Sequence, residues 1–476
     1  MIRTLFFTAM SATQTRHPPS VNLDNKENAK DLRMYVETYG CQMNEYDSGI
    51  IKKILSDSGF VLSEHESDAD VILLNTCAIR EKAHERIYTR LQSFSGLKRR
   101  KKDLVVGVLG CMAQNLGDDL FAMGLPLDMI VGPDNYRRLP ELIHSARKVR
   151  HPVSLTRLSL DETYEDIEPA VIHGPLAYLT IMRGCDNFCS FCVVPYTRGR
   201  ERSRSPGSIV SELKLLIEEN GIREVTLLGQ NVNSYRYESE GTTTDFTGLV
   251  RMLLDETEIS RIRFTSPHPH HFPLPLLELM AREERFCSQL HLPVQSGSTS
   301  VLERMKRDYS REEYLDLVNT VRELMPGAGI TTDVIVGFPG ETEEEFEMTL
   351  SLIQKTGFDM AYMFKYSQRE LTLASKKYPD DVPEEVKMER LNRLIAAQRS
   401  SSAEYNKKEE GKIYSVLVEG KSKKSDSEWM GRTAPGKVVI FPAPPSGSLE
   451  KSSGTFVQVK ITGSSSATLK GEILPL

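Results

Sequence analysis

The chain has 476 residues, of which 39% are hydrophobic and 26% are charged, and its formal net charge is −6. This length predicts two to four domains that each bury a core of their own. Because the net charge is mildly negative, the chain as a whole does not attract nucleic acid electrostatically. Any RNA contact therefore has to involve a local positive patch. No run approaches the ~18–20 apolar residues of a membrane span.

Residues 1–31 are predicted to be a disordered extension. They contain a brief apolar patch at Phe6 and Phe7 and then become polar. A secretory signal peptide needs a longer apolar segment and a small-residue cleavage site. We therefore expect a cytoplasmic protein, a location that also keeps the seven cysteines reduced. An odd number of cysteines argues against a disulfide framework.

Residues 32–150 are predicted to fold as an α/β domain with a doubly wound parallel sheet. Short apolar runs bounded by turn residues alternate there with helical patterns such as DSGIIKKILSDSG. This alternation is typical of a parallel sheet with helices on both faces. The basic run Lys98–Lys102 is predicted to be a solvated helix end, with RNA contact as the alternative. The predicted strands are Met34–Gly40, Asp70–Cys77, Asp103–Cys111 and Leu127–Gly132.

Three of these strands end at a cysteine, namely Cys41, Cys77 and Cys111. The carboxyl ends of parallel strands line one crevice, so we expect the three cysteines to converge there. A single buried cysteine is by default a packing residue, whereas three at equivalent strand ends indicate a ligand set. Zinc is an alternative, but it would need a fourth ligand. Cys287, which belongs to no such set, is predicted to have no functional role.

Residues 151–172 are predicted to be an acidic linker. Residues 160–170 within it, LDETYEDIEPA, contain five carboxylates and one proline. Such a charge run is usually solvated, although it could also repel RNA phosphates. We expect a solvated connection between two domains.

Residues 173–402 are predicted to form an incomplete (β/α)6 barrel. Six strands alternate there with helical patterns such as SIVSELKLLIEENG and EEEFEMTLSLIQKTG. Barrels of this kind place their chemistry at the carboxyl ends of the strands. The predicted strands span residues 176–184, 224–231, 261–266, 289–296, 329–340 and 360–367.

The loop after the first barrel strand sets Cys185, Cys189 and Cys192 at C-x3-C-x2-C spacing. A fully ligated [4Fe–4S] cluster takes four cysteines. Three thiolates on one loop can hold three irons of such a cluster and leave the fourth iron without a protein ligand. A structural zinc site more often shows two C-x2-C pairs or cysteines combined with histidines. The spacing therefore favours an iron–sulfur cluster with one open iron.

The other barrel strands are also followed by polar or glycine-rich motifs. Taken one at a time these are ordinary turns, and Glu341 would only ease the dipole of the helix that it precedes. Their position at successive strand ends of one barrel indicates a cofactor pocket instead. His268 and His291 are predicted to be structural or substrate-orienting, since no cysteine lies beside them. The candidate cofactor-binding residues are Gly229, Gln230, Asn231, Ser266, Gln295, Gly337, Gly340 and Glu341.

Residues 403–476 are predicted to form a small antiparallel β-barrel. Alternating runs such as IYSVLVEG and TFVQVKIT are broken by Gly, Ser and Pro. From Gly411 onward there are nine Lys or Arg and five Asp or Glu, an excess of four positive charges that can follow RNA phosphates. Trp429 is predicted either to stack on an exposed base or to fill the core. We expect the preceding barrel to survive removal of this domain, because it has its own core.

Three parts of the chain resemble known families. The cysteine loop, with Phe191 before its last cysteine, resembles the radical S-adenosylmethionine (SAM) superfamily. The sequences around the first three cysteines, TYGCQMNEYDS, NTCAIREKAHER and VLGCMAQ, resemble the N-terminal domain of the methylthiotransferases. The C-terminal barrel resembles the TRAM domain of RNA-modifying enzymes. These resemblances extend over nearly the whole chain.

The methylthiotransferase resemblance implies two [4Fe–4S] clusters, each held by three cysteines with one iron left open. The six cysteines are thus candidate catalytic and metal-binding residues. The open iron at the Cys185 loop would bind the amino and carboxylate groups of SAM, and the reduced cluster would cleave SAM to a 5′-deoxyadenosyl radical. Gly229 to Asn231 would lie along the methionyl part of SAM. Gly337 and Gly340 would let the backbone approach its adenosine.

Gln42 and Met43 follow the first cysteine. At these two positions the branch of the family that modifies a ribosomal protein usually has Pro-Lys, and the branch that acts on threonylcarbamoyl-adenosine usually has Lys-Val. They resemble the branch that methylthiolates C2 of N6-isopentenyladenosine next to the tRNA anticodon, with one SAM as methyl donor and one as radical source. The implied partners are the tRNA anticodon loop and a reductant protein such as flavodoxin or ferredoxin. An iron–sulfur RNA-binding protein without catalysis is the alternative.

Two positions depart from the family pattern. The segment YSQRELTLA has Leu371 where the family commonly has glycine, and a positive φ there would strain the leucine. The segment GRTAPGK lacks the asparagine that the family usually has in the C-terminal barrel. These departures make the loop at Leu371 and the RNA contacts of the GRTAPGK segment the least secure parts of the resemblance.

Overall fold

The computed structural model describes residues 32–78, 81–149, 151–169, 171–270, 272–422, 425–442 and 453–475. The chain divides into two compact units, Met1–Ser159 and Leu160–Leu476. The predicted disordered extension, residues 1–31, lies outside the described residues. Among the helices of the described ranges, none is long and apolar enough to cross a membrane.

The first unit is built on a parallel sheet of six strands in the order β2-β1-β3-β4-β5-β6. The two central strands, β3 and β4, are buried along their whole length, as expected for Val- and Leu-rich strands covered by helices on both faces. The sheet confirms the predicted fold and adds two short edge strands, β2 and β6. The strands are β1 Arg33–Thr38, β2 Val61–Leu62, β3 Val71–Thr76, β4 Val105–Gly110, β5 Met129–Val131 and β6 Val153–Leu155.

Helices connect these strands, as parallel pairing requires. In the first helix Ile50, Ile51 and Leu55 are buried, because this spacing places them on one face. In the basic run, Lys98 pairs with Asp128 and Lys101 donates to the Ala69 carbonyl, so this helix end is partly tied to its own domain. The helices are α1 Gln42–Asp57, α2 Glu81–Ser93, α3 Ser95–Arg100, α4 Cys111–Leu116, α5 Asp119–Ala122 and α6 Leu139–Val149, with a 3-10 turn at Tyr136–Arg138.

The second unit contains the predicted six-stranded incomplete barrel. Parallel pairing joins β8, β11 and β14 in one sheet and β15, β16 and β17 in another, and an isolated parallel bridge from Ile262 to Phe286 links the two. The strands are β7 Ile172–His173, β8 Leu176–Thr180, β9 Met182–Arg183, β10 Arg202–Ser203, β11 Glu224–Leu228, β12 Arg236–Ser239, β13 Thr242–Asp245, β14 Arg261–Phe264, β15 Gln289–His291, β16 Gly329–Val336 and β17 Met360–Lys365.

Local sequence signals set where the barrel helices begin. Ser310 and Thr342 each form a capping box with the glutamate three residues later, and Ser205 caps a helix that has proline at its first position. The helices are α7 Val194–Thr197, α8 Pro206–Asn220, α9 Phe246–Glu256, α10 Leu274–Arg282, α11 Thr299–Met305, α12 Arg311–Leu324, α13 Glu343–Thr356, α14 Leu373–Lys377 and α15 Glu384–Lys407, with a 3-10 turn at Val232–Ser234.

The segment predicted as a solvated acidic linker is largely packed structure. Val153–Leu155 pairs with β5 as the last strand of the first sheet. In the second unit Tyr164 is buried beneath the guanidinium of Arg183, which lies 4.7 Å from the ring centroid, and Glu165 accepts the backbone N–H of Ser205. The charge run has one apolar face, so only its carboxylate-rich face is solvated.

The C-terminal segment forms a closed five-stranded barrel in the order β18-β19-β20-β22-β21, which confirms the predicted small β-barrel. Trp429 is buried in its core beside Val416 and Val439, so the core position expected as one of two alternatives is the observed one. Helix α15 runs to Lys407, past the expected start of this domain at residue 403. The strands are β18 Ile413–Ser422, β19 Ser425–Arg432, β20 Val438–Pro442, β21 Phe456–Ser464 and β22 Leu469–Ile473.

The loop of residues 432–437 lies against the amino end of the larger barrel. Arg263 on β14 donates to the carbonyls of Thr433 and Ala434 at 2.8 and 2.9 Å, and Arg261 donates to the carbonyl of Arg432 at 2.7 Å. These contacts use the backbone of the GRTAPGK segment. The segment is therefore an intramolecular interface rather than an open RNA-binding loop.

The same interface contains a buried ion pair. Glu224 at the start of β11 lies 2.8 Å from Nε of Arg263, and both side chains are almost completely buried. A buried charge that loses its partner is strongly destabilising. Arg261 and Arg263 of the larger barrel therefore have hydrogen-bond acceptors on the C-terminal barrel. The two domains have separate hydrophobic cores, and survival of the larger barrel alone stays a prediction.

We predict that Arg263→Ala lowers the free energy of unfolding by ~3–5 kcal/mol, because Glu224 loses its closest cation in a buried site. The measurement is urea unfolding followed by the fluorescence of Trp429, the only tryptophan. The control is Lys214→Ala, whose partner Glu256 lies 3.4 Å away and whose side chain is 44% exposed. Exposed pairs contribute at most ~1 kcal/mol. Equal losses in the two variants would contradict the interface.

Candidate functional site

The cysteine loop follows β9 and has little regular structure apart from the short helix α7. Cys185 donates its backbone N–H to the carbonyl of Gly199, and Cys192 donates to that of Cys189. Burial raises the pKa of the Cys185 thiol to about 12, and the neighbouring thiols add to this shift. Burial and Cys189 also raise the pKa of Cys192. Cys185 and Cys192, whose pKa values are raised, would become thiolates on binding a cationic metal cluster.

Gly184 fixes the start of this loop. Its φ is +78°, in the region that favours glycine, and a Cβ there would lie 1.9 Å from the carbonyl oxygen of Arg200. Only glycine therefore fits between β9 and Cys185. The close approach lets the Gly184 to Cys192 segment and the returning chain at Arg200 form one compact loop.

A buried arginine faces the loop from the other side. Nη1 of Arg307 donates to Sγ of Cys189 at 3.4 Å, Nη2 donates to the Pro293 carbonyl at 2.8 Å, and Nε donates to the Tyr309 hydroxyl at 3.0 Å. Within the described ranges no carboxylate is among the groups that act on Arg307. The buried guanidinium therefore places a positive charge beside Cys189, which suits a metal-bound sulfur at this position.

The motif after β11 contacts the cysteine loop directly. Oε1 of Gln230 accepts the backbone N–H of Gly184. Nδ2 of Asn231 donates at 3.0 Å to Glu201, whose carboxylate also accepts the backbone N–H of Asp186. The remaining side-chain atoms, Nε2 of Gln230 and Oδ1 of Asn231, are buried and have no partner in the described part of the chain. These two atoms can hold a polar ligand beside the cysteines.

Ser266 and Gln295, at the ends of two other strands, have φ values of +58° and +69°. Left-handed backbone is uncommon for residues other than glycine and tends to occur at functional sites. Gln295 is held in this conformation by backbone hydrogen bonds to Asp333 and Ile335 on β16. Both residues therefore lie at the carboxyl end of the barrel in fixed, strained positions.

The loop after β16 is braced from beneath by Glu341. Its buried carboxylate accepts the backbone N–H of Gly337 at 2.6 Å and pairs with Arg390 at 3.0 Å. Burial raises the pKa of Glu341 to about 7, and Arg390 and the Gly337 N–H oppose the shift. Glu341 thus holds this loop in place. A ligand that contacts the backbone of the loop would do so at Gly337 and Gly340.

His268 lies in the loop after β14, which Asn233 ties to the loop after β11. Its Nδ1 accepts the backbone N–H of His270, so the ring proton is on Nε2. Burial lowers the pKa of His268 to about 2, which keeps the ring neutral. Nε2 is buried and has no partner among the described residues. His268 thus presents a neutral hydrogen-bond donor at the carboxyl end of the barrel.

The other three candidate cysteines lie together in the first unit. Cys41 precedes α1, Cys77 follows β3, and Cys111 begins α4, and the register aligns Thr76 at the end of β3 with Gly110 at the end of β4. A Cβ on Gly40 would lie 2.7 Å from Cβ of Cys77. The first two cysteines are therefore close in space, and Cys111 is on the adjacent strand end.

In the ranges that the structure describes, no three His, Cys, Asp or Glu side chains surround a single metal ion. A cubane cluster binds each cysteine through a different iron, so its ligands need not meet at one point. Cys287, outside both sets, is buried at the amino end of the larger barrel, where burial raises the pKa of its thiol to about 11. An inert packing role suits that environment.

The chain matches three known families along its length. Residues 179–353 match the radical SAM superfamily, residues 33–132 match an uncharacterised family named UPF0004, and residues 407–474 match the TRAM domain. The first match contains the cysteine loop, the end of β8 and the barrel strands β11, β14, β15 and β16. The second contains Cys41, Cys77 and Cys111, and the third contains the closed five-stranded barrel.

Similar curated proteins extend over nearly the whole chain. The tRNA-2-methylthio-N(6)-dimethylallyladenosine synthase of Bacteroides thetaiotaomicron is 47% identical over 443 residues, which cover 92% of this chain and 96% of that protein. The synthase of the same name from Chloroherpeton thalassium is 48% identical over 442 residues, which cover 93% of this chain and 96% of that protein.

A solved structure shares the fold. The radical SAM methyltransferase TsrM from Kitasatospora setae, with cobalamin and a [4Fe–4S] cluster bound, superposes with a TM-score of 0.50 at 15% identity. The superposition covers 73% of this chain and 74% of TsrM. At this identity the likeness shows the fold alone.

We predict that Gly184→Ala strongly reduces the iron held by the barrel cysteines, because the added methyl group displaces the loop from the Arg200 carbonyl. The measurement is iron and sulfide content after anaerobic reconstitution. The control is Gly207→Ala, at a helical glycine with no atom within 4 Å of the added Cβ. Full iron loading of Gly184→Ala would show that the loop conformation is not required.

Proposed function

We propose that this chain, which belongs to the tRNA-2-methylthio-N(6)-dimethylallyladenosine synthase family, attaches a methylthio group to C2 of N6-isopentenyladenosine beside the tRNA anticodon. It is a radical SAM enzyme that modifies tRNA, and it uses SAM and a [4Fe–4S] cluster. The observation that carries the proposal is that two separate sets of three cysteines lie at the carboxyl ends of parallel strands, in a chain that also contains a TRAM barrel.

Cys185, Cys189 and Cys192 are the proposed ligands of the radical cluster. The C2–H bond of adenine is neither acidic nor easily attacked, so general acid–base catalysis has little effect on it. When bound, the cluster and SAM supply an organic radical for this bond, and the protein supplies placement. The burial of the three thiols and the donor of Arg307 support this assignment.

The proposed SAM pocket lies beside the cysteine loop. Gln230 and Asn231 each keep one buried atom without a partner among the described residues, as a donor and an acceptor respectively. These atoms suit the carboxylate and amino groups of an amino acid. Gly229, Ser266, Gln295, Gly337 and Gly340 complete the proposed pocket at neighbouring strand ends, with Glu341 as the brace of the last loop.

We assign a second [4Fe–4S] cluster to Cys41, Cys77 and Cys111. Cys41 lies at the amino end of the sixteen-residue helix α1, a position that favours the thiolate form. With separate clusters, one SAM molecule would serve as methyl donor and another as radical source. The separation of the two cysteine sets along the chain supports this division of labour.

The proposed partners follow from charge and chemistry. The positive excess of the C-terminal segment supports contact with tRNA phosphates, and the target base would leave the anticodon loop stack to reach the barrel. Reduction of the radical cluster requires an electron donor, for which a flavodoxin or ferredoxin is proposed. The odd number of cysteines, seven, argues against a disulfide framework and supports a reducing compartment, the cytoplasm.

The two cysteine sets give separable predictions. Alanine at Cys185, Cys189 and Cys192 should halve the iron content and abolish 5′-deoxyadenosine formation. Alanine at the other set, Cys41, Cys77 and Cys111, should also halve the iron but stop only methylthiolation. The measurements are iron analysis and nucleoside analysis of tRNA from cells that carry each variant in place of the native gene. Accumulated N6-isopentenyladenosine without its 2-methylthio form is the expected result.

Three outcomes would contradict parts of the proposal. A wild-type protein that binds iron and tRNA but forms no 5′-deoxyadenosine would be a non-catalytic iron–sulfur RNA-binding protein. Unchanged tRNA in a deletion strain, with loss of a modification on a ribosomal protein, would move the chain to the protein-modifying branch. Methylthiolation by the Cys41 set variant would show that the first cluster is structural.

Arg307 generates a prediction for the radical cluster. Arg307→Met removes a positive charge beside Cys189 and should shift the ratio of reduced to oxidised cluster at least tenfold toward oxidised, or about 59 mV for one electron. The measurement is a redox titration followed by electron paramagnetic resonance. Arg307→Lys should restore part of the shift. The control is Arg322→Met, which removes a guanidinium that contacts the carbonyls of Thr356 and Gly357 and the ring of Tyr405. An unchanged potential in Arg307→Met would contradict the prediction.

A further inference from the structure

The last strand of the larger barrel presents three large apolar side chains that are exposed in the part of the chain that the structure describes. Met360, Tyr362 and Phe364, here called the inner stripe, are 41%, 48% and 42% exposed. The residues between them, Ala361 and Met363, pack into the core against the helices. Along the described chain, β17 pairs with β16 and with no second strand. The inner stripe therefore lies at an open edge, on the face turned away from the helices.

The register shows that this face is the barrel interior. Parallel pairing aligns Tyr362 with Asp333 and Met360 with Thr331, and aligned residues of neighbouring strands point to the same side. The ring of His291 lies 5.9 Å from that of Tyr362, and its nitrogens contact Thr331 at 2.9 Å and Asp333 at 3.3 Å. The inner stripe thus shares the interior with a polar pair, His291 and Asp333.

The inner stripe leads toward the proposed SAM pocket. β17 runs in the same direction as β16, and Lys365 after Phe364 aligns with Val336, which directly precedes Gly337. Phe364 is therefore the member of the stripe nearest the carboxyl end, and Met360 is the deepest. Exposed apolar surface of this kind marks a binding site in a folded protein. Its continuity with the reaction site identifies the occupant as the substrate.

We propose that the inner stripe binds the N6-isopentenyladenine base, an inference that rests on the proposed function. The rings of Phe364 and Tyr362 stack on the base, as aromatic side chains do on unpaired bases. The apolar dimethylallyl chain packs between Tyr362 and Met360. In adenine, N1 is bonded to C2 on one side and to C6, which carries the N6 substituent, on the other. When C2 faces the carboxyl end of the barrel, the N6 substituent therefore points deeper along the stripe.

The polar pair completes the recognition surface. His291 and Asp333 are both partly exposed on the interior face, within reach of a base that stacks on Tyr362. The imidazole can hydrogen-bond a purine ring nitrogen and the carboxylate can accept the N6–H, which gives orientation, while the stripe selects the apolar substituent. A base without the dimethylallyl chain leaves Met360 and the deep side of Tyr362 in water. The stripe thereby makes prior prenylation of the adenine a requirement for tight binding.

The test compares two anticodon stem-loop RNAs, one with N6-isopentenyladenosine and one with unmodified adenosine at the target position. Binding is measured by fluorescence anisotropy and turnover by methylthio-nucleoside formation. Met360→Ala and Tyr362→Ala should each raise the KM for the prenylated RNA about tenfold and reduce the preference over unmodified RNA. Tyr362→Phe should restore stacking and preference. The control is Met348→Ala, an equally exposed methionine on the outer helix α13.

Each outcome decides the inference. Unchanged preference in Met360→Ala and Tyr362→Ala, or an equal loss with both RNAs, would overturn it. A change in self-association of the variants, measured by sedimentation, with intact RNA preference would assign the stripe to a protein interface and also overturn it. If alanine variants lose iron or stability, Met360→Gln and Tyr362→Phe supply the comparison. Failure of the wild-type protein to form the methylthio-nucleoside would instead refute the proposed function.

Discussion

Desolvation of the cysteine thiols is the constraint on which the larger barrel depends. The loop holds Cys185 and Cys189 out of water, where a thiol resists ionisation, yet only thiolates bind iron. Positive charge has to compensate, and the chain supplies one fixed part of it as the Arg307 guanidinium. That guanidinium is itself held by Pro293 and Tyr309, so the compensation is pre-arranged before any metal binds.

The same constraint explains how the strand-end loops are connected. A loop with little secondary structure cannot hold three ligands unless its backbone is fixed by neighbours. Gln230 accepts from Gly184, and Glu201 joins Asn231 to Asp186, so the loops after β9 and β11 form one network. Parallel strands bring these loops together because their carboxyl ends meet at one edge. The first unit applies this geometry to its own three cysteines.

Patterns that depend on local sequence were predictable. Apolar runs predicted the central strands of both units. The C-x3-C-x2-C spacing indicated the cysteine set of the barrel, and strand ends indicated the set Cys41, Cys77 and Cys111. Arg307, Glu201 and the Arg263–Glu224 pair were not predicted, because a charged residue that is buried by distant partners carries no local signal. The packing of Tyr164 was missed since its charged neighbours dominate the pattern. A positive φ at Leu371 would have strained the leucine, but its φ is not positive, so the loop accommodates leucine.

The two ends of the larger barrel are therefore unequal. At the amino end, Arg261 and Arg263 donate hydrogen bonds to backbone carbonyls of the 432–437 loop. Gly329 leaves room for the Pro435 carbonyl, because a Cβ at position 329 would lie 2.0 Å from that oxygen. Within the described residues of the second unit, the 432–437 loop covers that end. The interior can be reached from the carboxyl end or past the unpaired edge of β17. The strand-end loops and the inner stripe lie along that route, so the path of a ligand and the proposed reaction site are on the same side of the barrel. The TRAM domain packs against the opposite end.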